Sequence, residues 1–113
     1  MTREEASALF QFPKSILHTY DHWVERRTAQ PVQNYGEDSL PWLNLLLTLS
    51  GIGITGPQAE RYLDLQVQGR PDAAERILLL EKRRAELLET VHHLERQREY
   101  LRELQKEIES GTL

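Results

Sequence analysis

The sequence predicts a mainly α-helical chain: a head of short helices, then one long helix that pairs with a copy of itself. Three observations carry this expectation. Leu80, Leu87, Leu94, Leu101 and Ile108 recur every seven residues, which marks a coiled-coil seam. Neither Gly nor Pro interrupts the chain between Pro71 and Gly111, so a single helix of roughly 38 residues fits there. The residues before Pro71 instead break into short apolar runs at helical spacing, each bounded by Pro, Gly or a capping residue.

Taken in order, the first helix is expected over about 3–11, with Thr2-Arg3-Glu4-Glu5 as a capping box and Ala6, Leu9 and Phe10 facing inward. Pro13 suits the first turn of a second helix over about 14–23, with Ile16, Leu17 and Tyr20 on one side. Two short helices joined by about three residues fit a helix-turn-helix. Residues 26–36 are irregular, and Pro31, Val32 and Tyr35 suit either a small hairpin or a loop. Asp38 or Ser39 caps a third helix over about 39–50, whose Leu40, Leu43, Leu46, Leu47 and Leu49 form the richest apolar face. It stops at Gly51-Ile52-Gly53. Thr55-Gly56-Pro57-Gln58 opens a fourth helix over about 56–68, with Ala59, Tyr62, Leu63 and Leu65 inward and Gly69 at its end. Trp23 and Trp42 are expected to pack together in this head.

The chain then divides, with a head over 1–69 and the long helix over 70–113. Asp72 and Glu75 are placed as a capping box for that helix. The d series named above has a matching a series of Ile77, Arg84, Val91, Arg98 and Gln105. A seam this narrow calls for a partner helix of equal length, and no other segment of the chain is that long. A second copy is the natural partner. In a parallel pair Arg84 and Arg98 would each face their own copies. In an antiparallel pair a positions meet d positions, and each arginine lays its methylenes over a leucine while its head reaches water. An antiparallel homodimer is therefore expected, with Ile77, Leu80, Leu87, Val91, Leu94, Leu101 and Ile108 in its seam.

Charge and composition narrow the function. The 113 residues carry a net charge of −4. Residues 1–70 hold six Lys or Arg against eight Asp or Glu, and residues 71–113 hold eight against ten, so neither part is strongly basic. There is no cysteine, which excludes disulfides and thiolate metal sites. No apolar run approaches the roughly 18 residues of a membrane span, and the opening Met-Thr-Arg-Glu-Glu is unlike a signal peptide, so a cytoplasmic location is expected. A Gly-rich phosphate loop, a nucleophile elbow and a zinc-protease pattern are all missing, and no enzyme or cofactor is expected. His18 and His22 have the i, i+4 spacing of zinc ligands but lack a third ligand nearby. His92 and His93 fall on outer b and c positions. Glu99, Glu103 and Glu107 form a surface row that Arg96, Arg102 and Lys106 balance.

Several of these segments, in this order, resemble the MerR family of bacterial transcription regulators. Ala8-Leu9-Phe10, Leu17 and Tyr20-Asp21 are similar to the opening of the family's helix-turn-helix. Tyr35, Glu37-Asp38, Leu40, Leu43, Leu47 and Leu49 are similar to the segment after its wing. Gly53-Ile54-Thr55 with Tyr62-Leu63 resembles the start of its fourth helix, and the leucine heptads resemble its antiparallel dimerisation helix. The resemblance implies a winged helix-turn-helix-like N-terminal domain with a short wing over 26–36. It also implies a dimer that binds a pseudo-palindromic promoter or operator in double-stranded DNA and distorts it. Lys14, Tyr20, Arg26 and Arg27 would then position phosphates, with Ser15 and His18 near base edges. His18 stands where the family usually has arginine, Thr19 where it has a first tyrosine, and Gln33 at a common wing arginine. Asn44 and Thr48 also replace residues that are often basic. With only Ser110–Leu113 after the long helix, no effector domain of the family's kind is expected.

Two other readings compete with a DNA-binding regulator. A protein-interaction adaptor that has lost DNA binding is favoured by the acidic balance and the replaced arginines. A plain coiled-coil scaffold with an unrelated helical head leaves the order of the head segments unused.

Overall fold

Helix boundaries follow from local chemistry, beginning with Thr2, whose hydroxyl accepts a hydrogen bond from the Glu5 amide at 3.2 Å. The computed structural model describes residues 2–112, and within them the side chains of residues 3, 6, 9, 10 and 72 are left aside. The inward face assigned to Ala6, Leu9 and Phe10 and the Asp72 cap therefore lie outside the described residues. Helix α1 spans Arg3–Phe10 and ends at Gln11, which adopts a left-handed conformation with φ 57°. Phe12 and Pro13 complete a three-residue turn, and the Pro13 carbonyl accepts from the Ile16 amide at 3.0 Å to start α2.

α2 spans Lys14–Thr28 and is longer than expected. Nothing in Val24-Glu25-Arg26-Arg27 breaks a helix, and the stop comes at Ala29, left-handed with φ 60°, whose amide bonds the Glu25 carbonyl at 2.8 Å. The Thr28 hydroxyl returns to the Val24 carbonyl at 2.9 Å. Arg26 and Arg27, expected to open a wing, thus lie in the last turn of α2. Among the described residues there is no strand, and the segment after Ala29 is a loop. That loop folds onto α2: Val32 packs against the core, and Tyr35 is buried with its hydroxyl donating to Asp21.

α3 spans Leu40–Gly51 and α4 spans Gly56–Gln68. Neither Ser39 nor Thr55 makes the side-chain cap bond expected of it. Ser39 instead accepts from the buried Tyr20 hydroxyl at 3.2 Å, so a tertiary contact takes the group that a cap would use. Pro41 and Pro57 sit in the first turns, where a missing amide costs no helical bond. A short 3-10 turn, Arg70–Asp72, leads into α5, which spans Ala73–Glu109.

Two compact units result, Met1–Leu79 and Leu80–Leu113. The first extends past Gly69 because α4 and the start of α5 are tied together. Arg61 pairs with Glu75 at 3.0 Å, while Arg76 bonds the Gln66 side chain and the Gly69 carbonyl, the latter at 3.2 Å. Its core is built where α2, α3 and α4 meet, with Leu17, Leu43 and Leu63 fully buried. Ile16, Tyr20, Trp23, Leu46, Leu49, Ile54 and Ala59 surround them. Trp23 and Trp42 pack with ring centroids 5.1 Å apart, as expected. Leu47, assigned inward, is instead 41% exposed. The buried set Leu43, Leu46 and Leu49 defines the inner stripe, and Leu47 falls off it. Leu65 is buried as expected, and Glu60 joins the buried residues of α4.

The second unit is the remainder of α5. It holds no buried residue, and no helix among the described residues is long and apolar enough to cross a membrane.

Candidate nucleic-acid interface

A recognition helix must be held rigidly on one side and offer polar groups on the other, and α2 does both. Ile16, Leu17, Tyr20 and Trp23, spaced as one helical face, are all buried. Polar bonds add orientation to that packing. Tyr20 reaches Ser39, Tyr35 reaches Asp21, and the Trp23 indole N–H donates to Asp64 Oδ1 at 2.9 Å. Three bonds to two different elements thus oppose rotation of α2 about its axis.

The outer face carries Lys14, Ser15 and His18, all exposed. They occupy the first turns of α2, directly after the left-handed Gln11 turn that separates α1 from α2. No acidic residue stands in that first turn, and the N-terminal end of a helix carries partial positive charge. The Thr19 hydroxyl bonds back to the Ser15 carbonyl at 3.0 Å, closing the lower edge of this patch. Lys14, His18, His22 and Arg26 follow one another at four-residue steps, a slowly winding row of basic side chains along α2.

Of the six residues assigned to DNA, the structure brings Lys14, Ser15 and His18 together on this face. Tyr20 lies in the core. Arg26 and Arg27 lie about three turns away at the other end of α2, engaged with α4. Arg26 Nη2 reaches Asp64 Oδ2 at 3.0 Å, and Arg26 Nε reaches Glu60 Oε1 at 3.3 Å. Arg27 Nη1 lies 3.6 Å from Asp64 Oδ1, and its guanidinium stacks 5.3 Å from the Trp23 ring centroid. His22 Nδ1 is 2.8 Å from Glu60 Oε2.

This α2–α4 cluster was missed by sequence reasoning. A signal was present: Glu60 and Asp64 stand four residues apart on α4, as His22 and Arg26 do on α2, the spacing of two matching helix faces. Desolvation raises the Asp64 carboxyl, but the Trp23 N–H, the Arg26 hydrogen bonds and the charges of Arg26 and Arg27 outweigh it, leaving Asp64 below its ordinary value of 3.8. The Arg26 guanidinium is raised, chiefly by its hydrogen bond to Asp64. An open hollow bounded by His22, Arg26, Pro57, Glu60, Arg61 and Asp64 lies over the cluster. His18 and His22 share no third metal-ligating side chain, and no such group of three occurs among the described residues.

The seam residues of α5 lie along one face of the helix. Their exposure runs from 36% at Leu80 to 64% at Ile108, with Ile77, Leu87, Val91, Leu94 and Leu101 between. A single chain thus leaves a long apolar stripe in water. Leu78 and Tyr100, on b and c positions, are exposed as well.

No protein-family model matches this chain, and neither a curated protein nor a solved structure matches it.

Proposed function

We propose that the protein is a dimeric, sequence-specific DNA-binding transcription regulator of MerR type, reading double-stranded promoter or operator DNA with α2. The observation that carries this reading is the two-sided character of α2 after a tight three-residue turn. One side is locked into the core by Ile16, Leu17, Tyr20 and Trp23, and the other offers Lys14, Ser15 and His18 to solvent. In this role Lys14 and the positive end of the α2 dipole position phosphate, while Ser15 and His18 approach base edges. The exposed seam of α5 supports pairing of two copies, which would present two such helices to a two-fold symmetric site.

A second reading, an interaction adaptor of the same fold that no longer binds DNA, is favoured by a specific observation. Arg26 and Arg27 are ion-paired to Glu60 and Asp64 within the chain, and the loop after Ala29 is drawn onto the core. The ion pairs lower the positive charge available for phosphate contacts, and the packed loop offers no projecting wing. Selection of bound sequences from a random duplex pool, at low and at physiological salt, tests between the two. Enrichment of a two-fold related motif supports the regulator. A pool that stays random even at low salt transfers the reading to the adaptor.

A further inference from the structure

We infer that α5 pairs with a second copy in one register, the one that sets Val91 against Leu94 of the partner copy and passes the two-fold axis between His92 and His93. The inference rests on the dimer proposed above, in the antiparallel form that the a-position arginines favour, and adds its alignment. Antiparallel pairing places every a position opposite a d position, so the copies can slide only by whole heptads. The three registers that pair the greatest length of α5 set Val91 opposite Leu87, Leu94 or Leu101 of the partner copy.

Coverage separates these three. With Val91 opposite Leu94, every seam residue finds a partner: Arg84 lies on Leu101, Arg98 on Leu87, Gln105 on Leu80 and Ile77 on Ile108. With Val91 opposite Leu87, Ile108 runs past the end of the partner helix. With Val91 opposite Leu101, Ile77 and Leu80 do so. Each outer register therefore leaves exposed aliphatic side chains in water at both ends of the dimer.

Charge separates them again, and independently. The e positions flank the seam and meet e positions of the partner in an antiparallel pair. In the central register Glu81 meets Arg102 of the partner copy, twice by symmetry, and Leu88 meets Glu95. Sliding one way sets Glu81 against the partner's Glu95. Sliding the other way sets Glu95 against its own copy and Glu81 against the partner's Glu109. Only the central register has opposite charges, and no like charges, along this edge.

The shape of the helix surface agrees. A shallow hollow on α5 is lined by Val91, Leu94, Glu95 and Arg98, the four positions that receive one a-position side chain in antiparallel packing. In the central register Val91 of the partner copy fills it. In the outer two registers an arginine, Arg84 or Arg98, would be driven into it.

The native chain has no cysteine, so single cysteines report pairing cleanly. After mixing and subunit exchange, Glu81→Cys and Arg102→Cys chains should form a mixed disulfide, while neither disulfide-bonds efficiently with itself. Ready self-crosslinking of Leu88→Cys would assign the Leu87 register and of Glu95→Cys the Leu101 register, and either result overturns the inference. Self-crosslinking of Leu80→Cys, which lies far from its own copy in all three antiparallel registers, would mean parallel pairing and overturn it too. As a second measurement, Glu81→Arg should weaken dimerisation roughly tenfold, and adding Arg102→Glu should restore it. A double variant no better than the single one overturns the register. Sedimentation of the native chain keeps the two levels apart: a monomer refutes the homodimer itself, whereas a dimer with the wrong crosslinks refutes only its alignment.

Discussion

Asp64 gathers an indole N–H and two guanidinium groups onto one carboxylate, and this ties its titration to stability. Its folded-state value lies below 3.8, so the folded protein binds its proton less readily than the unfolded chain does. The resulting stabilisation is fully present above the unfolded value and is lost as pH falls through the folded one. Asp64→Asn should therefore lower unfolding free energy by about 1–3 kcal/mol at neutral pH. The gap to the native chain should close as denaturant titrations are carried below pH 3.8, where the native carboxyl gains its proton. An undiminished gap in strong acid would show that packing, not charge, sets the effect. Tyr20 makes a contrasting case, since its hydroxyl meets an uncharged partner, Ser39. Tyr20→Phe should cost about 0.5–1.5 kcal/mol, readable from denaturant titrations at neutral pH.

At the scale of the element, α3 and α5 show the difference between a stripe that is covered and one that is not. Leu46 is buried and Leu47, one residue on, is 41% exposed. Leu46→Ala should cost about 2–5 kcal/mol and Leu47→Ala under about 1, a contrast that thermal unfolding of the two variants measures directly. No residue of α5 is buried within the chain, so truncating its seam at Leu87 and Leu94 should act on association rather than on the fold of the head. Leu87→Ala with Leu94→Ala should convert dimer to monomer at low micromolar concentration, each lost side chain weakening the pair by about 2–5 kcal/mol per buried leucine. Sedimentation of an unaltered dimer in that variant would remove the seam from the interface. The near-ultraviolet signal of Trp23 and Trp42 should be unchanged, because both lie in the head.

For the whole molecule the question is how much cationic charge faces outward. Binding to duplex DNA should be weak and salt-sensitive, with a shallow slope, since each neutralised phosphate adds only about 0.9 to the dependence of log affinity on log salt. Lys14→Ala should lower that slope by about one unit per engaged subunit without changing sequence preference. His18→Ala should shift preference more than affinity. Arg26→Ala should instead destabilise the α2–α4 contact, lowering thermal stability whether or not DNA is present, because its guanidinium is shared by Glu60 and Asp64. A slope that falls equally for Lys14→Ala and Arg26→Ala would mean that the ion pairs open when DNA binds.

What the sequence determined by itself is what depends on neighbours within one or two turns. The unbroken helix of α5, the Thr2 cap, the glycine stops after α3 and α4, and the inward Leu43, Leu46 and Leu49 follow from short-range patterns, and the structure carries each of them. The Tyr20, Arg26 and Arg27 environments were decided only by tertiary structure. Arg26 and Asp64 are 38 residues apart, and Tyr20 and Ser39 are 19 apart. Whether a tyrosine faces water or core, or an arginine is offered to a ligand or spent inside the chain, depends on which helix lands opposite it. Local spacing places a side chain on one face of its own helix; only the packing of α2 against α3 and α4 determines what that face meets.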